Sequence, residues 1–167
     1  MEAVQDRLLV PFSLNVARAL TNARTTVEHG FTTVRDAGGT PRGVKMAIER
    51  GLFPGPRLRI AVGALSQTGG HGDGLMPMGV RISFFPSSSE HPDGVTDGVE
   101  NVRKTTREMI RAGADHIKIM TSGGVLSPSD EPTGLGFTPD EIAAVVYEAR
   151  AAGKTVMSHA QATQGIK

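Results

Sequence analysis

The chain has 167 residues, no cysteine and a net charge of +1, with hydrophobic residues at 38% and charged residues at 21%. This composition is sufficient for a buried core and argues against disorder, a nucleic-acid partner and a membrane surface, while the absence of cysteine excludes disulfides, thiolate catalysis and cysteine-ligated zinc. Because the sequence has neither an apolar run of about 18 residues nor an apolar secretion segment after Met1, we expect a cytoplasmic chain that forms one domain over residues 1–167.

Helix and strand patterns alternate along the first part of the chain. Apolar residues spaced three and four apart predict helices, and short β-branched segments predict strands. The predicted elements are a helix over Ser13–His29, a strand over Phe31–Asp36, a helix opened by Thr40 as N-cap and Pro41 as first residue, and a strand over Arg57–Val62. Residues 63–94 are rich in Gly, Pro and Ser without a period, which predicts a long loop.

The second part of the chain continues the alternation. Its strongest helix start combines an N-cap, a proline at the first position and a capping-box glutamate. The predicted elements are a helix from Val95 to Ile110, a strand over Asp115–Thr121, a helix opened by Thr138-Pro139-Asp140-Glu141 and a strand over Thr155–His159. Strands that alternate with helices predict right-handed βαβ units and an α/β fold with a parallel sheet.

Two α/β architectures fit this pattern. Four strands would form about half of an eight-stranded (β/α) barrel, which takes about 250 residues, and a doubly wound sheet fits the same length. In both architectures the carboxyl ends of the strands carry the chemistry. Three of the predicted strands carry a polar residue towards their carboxyl ends, namely Asp36, Lys118 and His159.

Lys118 is the first candidate for a functional residue. It lies within a predicted strand, on the face opposite Ile117 and Ile119, because strand side chains alternate. Burial lowers the pKa of a lysine, and a neutral amine can react with carbon dioxide to give a carbamate whose two oxygens can bridge two cations. A lysine paired with a carboxylate, or reaching solvent at the strand end, would fit the pattern as well.

His159 is the second candidate. It ends an apolar strand beside small residues, and a neutral imidazole is a common metal ligand, although a hydrogen-bonded histidine at a strand end is an equally simple interpretation. The other histidines outside the glycine-rich loops have simpler predicted roles: His116 is structural, His29 caps a helix end, and His91 is a solvated loop residue.

Two glycine-rich segments are candidate ligand-binding loops. Ser66–Gly74 either is an ordinary connection or presents His71 and Asp73 to a substrate, since its glycines allow backbone to approach a ligand closely. Gly38–Thr40 opens a helix and could hold an anion, but it lacks the lysine of a P-loop and the spacing of a dinucleotide-binding motif.

Several segments together resemble the amidohydrolase superfamily, and within it the imidazolonepropionase-like branch that includes Xaa-Pro dipeptidases (prolidases) and related metallocarboxypeptidases. The segments that carry the resemblance are HGFTTVRDAGG (29–39), GPRLRIAVGALSQTGGHGDG (55–74), AGADHIKIMTSGGVLSP (112–128), GFTPDEI (136–142) and GKTVMSHA (153–160). The resemblance implies a partial TIM-type (β/α) barrel and metal-dependent hydrolysis of amide or peptide bonds, dipeptidase- or carboxypeptidase-like, with a dipeptide or another small molecule as substrate.

The resemblance also implies roles for three residues. Lys118 matches the fourth-strand lysine that is commonly carboxylated in this family and bridges two divalent metal ions, expected here to be zinc. His159 matches the fifth-strand histidine that binds one of these metals, and His71 matches a loop residue near the bound substrate. No residue of this chain matches a catalytic group of the family.

The match further implies that the chain covers strands two to five of a barrel. The family's first-strand His-x-His pair, sixth-strand histidine and eighth-strand aspartate, which is the proton shuttle, have no counterpart here, so we expect this chain alone to be inactive. Exposed strand edges predict a homo-oligomer. The alternative is a non-catalytic doubly wound domain that binds a small anion through Gly38–Thr40 or Gly69–Gly72.

Overall fold

A computed structural model describes residues 9–83, 87–125, 127 and 130–167. Within these ranges helices and strands alternate, as the sequence patterns predict. The helices are α1 (Phe12–Glu28), α2 (Arg42–Glu49), α3 (Val99–Arg111), α4 (Pro139–Ala151) and α5 (Thr163–Ile166). The strands are β1 (Thr33–Arg35), β2 (Arg57–Arg59), β3 (Ala64–Leu65), β4 (Ile117–Met120) and β5 (Val156–His159).

All paired strands are parallel, which confirms the predicted α/β class. In the described residues they form a two-stranded sheet, β1-β2, and a three-stranded sheet, β3-β4-β5. In the second sheet Lys118 lies opposite Ala64 on one side and Met157 on the other, and Met120 lies opposite His159. Lys118 therefore lies in the central strand of this sheet, between β3 and β5.

The predicted strand over Arg57–Val62 is wrong in its second half. The β1-β2 ladder ends at Arg59, and the next backbone N–H, that of Ile60, donates to the Asp115 carboxylate at 2.8 Å. Val62 then adopts a positive φ of 68°, which turns the chain before β3 begins. A side chain distant in sequence thus interrupts the strand, and β3 lies where the sequence pattern predicts only a loop.

The capping box at Thr138 is confirmed. The Thr138 side chain accepts a hydrogen bond from the backbone of Glu141, and the Glu141 carboxylate accepts one from the backbone of Thr138 at 2.8 Å. The same carboxylate also accepts from the Gly98 N–H, at the start of α3, at 2.6 Å. Glu141 therefore satisfies free donors at the starts of two neighbouring helices.

The predicted start of the second helix is wrong by one residue. Pro41 is the N-cap and Arg42 the first helical residue, without a side-chain cap. The Thr40 N–H donates instead to the Asp36 carboxylate at 3.4 Å. Asp36 therefore organises the turn after β1, where Thr40 is the predicted cap.

The core lies between the sheets and helices α3 and α4. Ile117 and Ile119 of β4 are buried in it, as the alternation predicts. Their core neighbours from the other elements include Ile60, Val62, Leu65, Val102, Met109, Val145 and Ala149. Because Ile117 and Ile119 face this core, Lys118 lies on the opposite face of β4.

Across the described ranges, no helix combines the length and the apolar character that a membrane crossing demands.

Candidate metal and substrate site

Lys118 and His159 lie on the same face of adjacent parallel strands. Lys118 is opposite Met157 in the register of β4 and β5, and His159 follows Met157 by two residues. Because side chains on one face recur every second residue, the two candidates are diagonal neighbours. The predicted pairing of these residues in one site is thus geometrically possible.

Lys118 is buried without a counter-charge. The residue is only 7% exposed, and burial lowers the pKa of its ammonium group. Burial is the sole cause of this pKa shift, and no carboxylate in the described ranges forms an ion pair or hydrogen bond with Nζ. The simpler interpretation of a lysine paired with an acid is therefore not realised among these residues, and the lowered pKa favours the neutral amine relative to a solvated lysine.

The hydrogen bond of His159 leaves one ring nitrogen available. Its Nε2 lies 3.1 Å from the backbone oxygen of Gly123. A carbonyl oxygen only accepts, so Nε2 carries the proton in this contact and Nδ1 of the neutral ring keeps its lone pair. Metal-binding histidines typically donate their second ring N–H to such an oxygen, which fixes the ring for binding.

His71 packs directly on His159. The two ring centroids are 4.3 Å apart and the rings are inclined by 23°. Burial lowers the pKa of His71, and electrostatic interactions with His159 and Lys118 lower it further, whereas the Asp130 carboxylate raises it. The glycine-rich loop therefore brings His71 into contact with His159.

Gly124 provides the space that the His71 ring occupies. A Cβ added at Gly124 would overlap the atoms of this ring. The residue therefore has to be glycine for His71 to stack on His159 as it does. This is a requirement for close approach rather than for a special φ.

Asp73 does not face the site, contrary to the substrate-facing interpretation of its loop. Its buried carboxylate accepts from the N–H groups of Gly69 at 2.9 Å and Leu75 at 3.2 Å, and it pairs with Arg81 at 2.9 Å. Asp73 therefore holds the glycine-rich loop in shape, and His71 alone of the two predicted side chains is presented.

The two predicted anion loops have few free donors. The N–H groups of Gly38 and Thr40 both donate to the Asp36 carboxylate, and that of Gly39 donates to Val62. An anion there would have to displace a carboxylate that already fills the position.

In the second predicted anion loop, Gly69–Gly72, the glycine N–H groups are likewise already bonded within the protein. The N–H groups of Gly69, Gly70 and Gly72 donate respectively to Asp73, to Gln67 and to the Ser66 hydroxyl. This geometry argues against the alternative of an anion-binding domain.

The remaining histidines lie outside the site. His116 is buried with Nε2 3.0 Å from the Asp36 backbone oxygen, and His29 caps α1 with Nδ1 2.8 Å from the Thr25 oxygen, so both structural predictions are confirmed. The prediction of a solvated His91 is wrong. That residue is half-buried, and burial lowers its pKa.

Two residues that the sequence patterns do not single out complete the surroundings of His71. The Ser127 hydroxyl lies 2.9 Å from His71 Nδ1, and Asp130 Oδ2 lies 3.9 Å from the same nitrogen. Both belong to the loop after β4, which has no periodic signal.

The donor set fits part of a site for divalent metals. Lys118 offers a buried amine without a counter-charge, and His159 offers Nδ1 on the same sheet face. Within the described ranges, no group of three His, Asp or Glu side chains lies close enough together to hold a metal. These residues thus suit a metal centre that other groups complete.

Comparison with known proteins gives a consistent result. A family model described as the amidohydrolase family matches residues 4–167. A curated relative, the ochratoxinase of Aspergillus niger, is 35% identical over 90% of this chain, which covers 33% of that protein. The chain therefore spans about a third of the length of the curated relatives that it matches.

Two solved structures are similar over nearly all of the chain. A prolidase in complex with N-methylphosphonate-L-proline is 42% identical with a TM-score of 0.85, covering 98% of this chain and 40% of that one. An Xaa-Pro dipeptidase with bound methionine in its active site is 34% identical with a TM-score of 0.81, covering 94% and 39%.

Proposed function

The chain belongs to the amidohydrolase family, and from this premise we propose that it supplies part of a metal-dependent hydrolase of amide or peptide bonds. The fold proposal is that residues 1–167 form strands two to five of a TIM-type barrel domain. The alternation of helices with parallel strands supports it. So do the 0.85 TM-score to the prolidase and the 40% share of the prolidase chain that is covered.

The environment of Lys118 carries the functional proposal. Lys118 is buried without a counter-charge, which is costly, and ionisable groups in such environments cluster at functional sites. We assign it a carbamate in the assembled enzyme. The neutral Nζ attacks the carbon of carbon dioxide, an N–C bond forms, and one N–H proton leaves to water, which gives an anion with two oxygen donors.

The roles of the other residues follow from their hydrogen bonds. His159 would bind one of two divalent ions, taken to be zinc, through Nδ1, while its Nε2–H remains bonded to Gly123. The carbamate of Lys118 would bind both ions. Once bound, divalent metals polarise the scissile carbonyl and lower the pKa of the attacking water. His71, stacked on His159, would contact the substrate.

The substrate is proposed to be a dipeptide. The similarity to a prolidase and to an Xaa-Pro dipeptidase favours an Xaa-Pro dipeptide over a carboxypeptidase-type substrate. We further propose that the isolated chain is inactive. We also propose that it self-associates, because in the described residues the strands β1, β2, β3 and β5 each pair on one side only.

A chimera tests the functional proposal. In it, residues 1–167 replace the matching segment of the prolidase to which the chain is 42% identical. We expect the chimera to hydrolyse Xaa-Pro dipeptides at a rate that a chelator removes and zinc restores. The isolated 167-residue chain with zinc should give background rates, because groups that act as a unit fail together.

Two outcomes would contradict the proposal. A folded, zinc-loaded chimera without hydrolytic activity would reject the assigned chemistry. A zinc-dependent rate of the isolated chain that His159→Ala removes would show that this chain builds a complete site by itself.

A further inference from the structure

Hydrogen bonds connect the His71 ring to the Ser127 hydroxyl and, through it, to the Asp130 carboxylate. The Ser127 hydroxyl is hydrogen-bonded to Asp130 Oδ1, and His71 Nδ1 lies 2.9 Å from the same hydroxyl oxygen. The second carboxylate oxygen of Asp130 accepts from the Gly124 N–H at 3.1 Å, and the Asp130 side chain is only 9% exposed. The carboxylate is thus fixed in place by the loop after β4.

The hydrogen-bonding capacity of these groups determines the direction of each bond. A carboxylate only accepts, so the single proton of the Ser127 hydroxyl is donated to Asp130. The hydroxyl oxygen must then accept from His71, which places the ring proton on Nδ1. In the neutral ring, Nε2 keeps its lone pair. No protein group in the described ranges forms a hydrogen bond with this atom.

We propose that Ser127 and Asp130 are positioning residues that hold His71 in the Nδ1–H tautomer and so present Nε2 to the substrate as a hydrogen-bond acceptor. The substrate side of this inference rests on the proposed function. The group that meets His71 is then an N–H or O–H donor, such as the terminal amine of a dipeptide. In the neutral Nδ1–H ring, Nε2 has no proton to donate to a substrate carboxylate.

The protonation of the ring can be read directly by NMR. Long-range ¹H–¹⁵N spectra of the ¹⁵N-labelled 167-residue chain would be recorded without metal or substrate at about pH 8, above the ordinary histidine pKa. We expect a protonated Nδ1 and an unprotonated Nε2 for His71. Ser127→Ala and Asp130→Ala should each shift the ring towards the Nε2–H form, and Ser127→Thr, which keeps the hydroxyl, should preserve the wild-type pattern.

The control is Asp140→Ala, which removes an exposed carboxylate at the start of α4 and should leave the tautomer of His71 unchanged. A proton on Nε2 in the wild-type chain would overturn the proposal without any variant. Equally, an unchanged tautomer in both alanine variants, with an intact backbone amide spectrum, would show that the two residues do not set it.

The substrate side has its own readout in the chimera. Ser127→Ala should raise the KM for an Xaa-Pro dipeptide by roughly five- to tenfold, the equivalent of one hydrogen bond, with a smaller change in kcat. Ser127→Thr should restore KM. An unchanged KM would remove the substrate role of Nε2. An inactive chimera whose His71 still shows the Nδ1–H form would reject the proposed function and leave the tautomer assignment intact.

Discussion

Replacing His159 with alanine in the chimera is expected to lower kcat/KM for Xaa-Pro dipeptides by at least about a thousandfold. One metal would lose its imidazole ligand, and the Gly123 backbone oxygen would lose the ring N–H that it accepts. Bound zinc per chain, measured by atomic emission, should fall together with activity. The matched control is His29→Ala, which removes an exposed histidine at the end of α1 and should change neither value.

Lys118→Met should reduce the activity of the chimera to the same extent, because methionine has similar length but can form no carbamate. Lys104→Met, on the exposed side of α3, is its control. Near-normal activity of either site variant, with normal zinc content, would mean that Lys118 or His159 is not a ligand.

The same Lys118→Met substitution is expected to stabilise the isolated chain. It removes a buried ammonium without a counter-charge and leaves an apolar side chain in its place. We expect the free energy of unfolding at pH 7 to rise by about 1 to 3 kcal/mol, while Lys104→Met changes it by less than about 0.5 kcal/mol. Urea denaturation followed by circular dichroism measures both.

The difference between wild type and Lys118→Met should depend on pH. Burial lowers the pKa of Lys118 in the folded chain. At pH values between this lowered pKa and the ordinary lysine pKa of about 10.4, the unfolded chain therefore binds more protons than the folded chain. The stability of the wild type therefore rises relative to the variant as pH increases through this window. The full penalty is present below the folded pKa. A variant that is less stable than wild type at neutral pH would mean that the ammonium has a stabilising partner.

Features that depend on neighbouring residues in sequence could be predicted well. The Thr138 capping box involves residues three apart, and its geometry follows directly from them. The orientation of Lys118 follows from strand alternation and the apolar Ile117 and Ile119. Because both signals are local, the sequence alone indicates them.

Features that depend on distant residues could not be predicted. The end of β2 is set by Asp115, which lies 55 residues after the Ile60 N–H that it accepts. Likewise, the Ser127 hydroxyl lies 56 residues from the His71 ring that it contacts. No periodicity or cap signal encodes such pairs, so the strand break and the residues behind His71 emerge only from the folded chain.

The residue Thr40 illustrates a competition between local signals. Thr40-Pro41 has the form of a helix start, but Asp36 takes the Thr40 N–H, and the chain remains extended through Pro41. The local Thr40-Pro41 signal therefore places the helix start one residue too early.

The most direct test of the proposed metal site is the ¹³C NMR spectrum of the chimera prepared with zinc and ¹³C-labelled bicarbonate. We predict a carbamate carbon signal in the zinc-loaded chimera that disappears in Lys118→Met and persists in Lys104→Met. The isolated 167-residue chain should show no such signal, because a buried anion without its cations would be unpaired. A chimera that binds two zinc ions while Lys118 remains an unmodified amine would contradict the assignment of Lys118 as the bridging ligand.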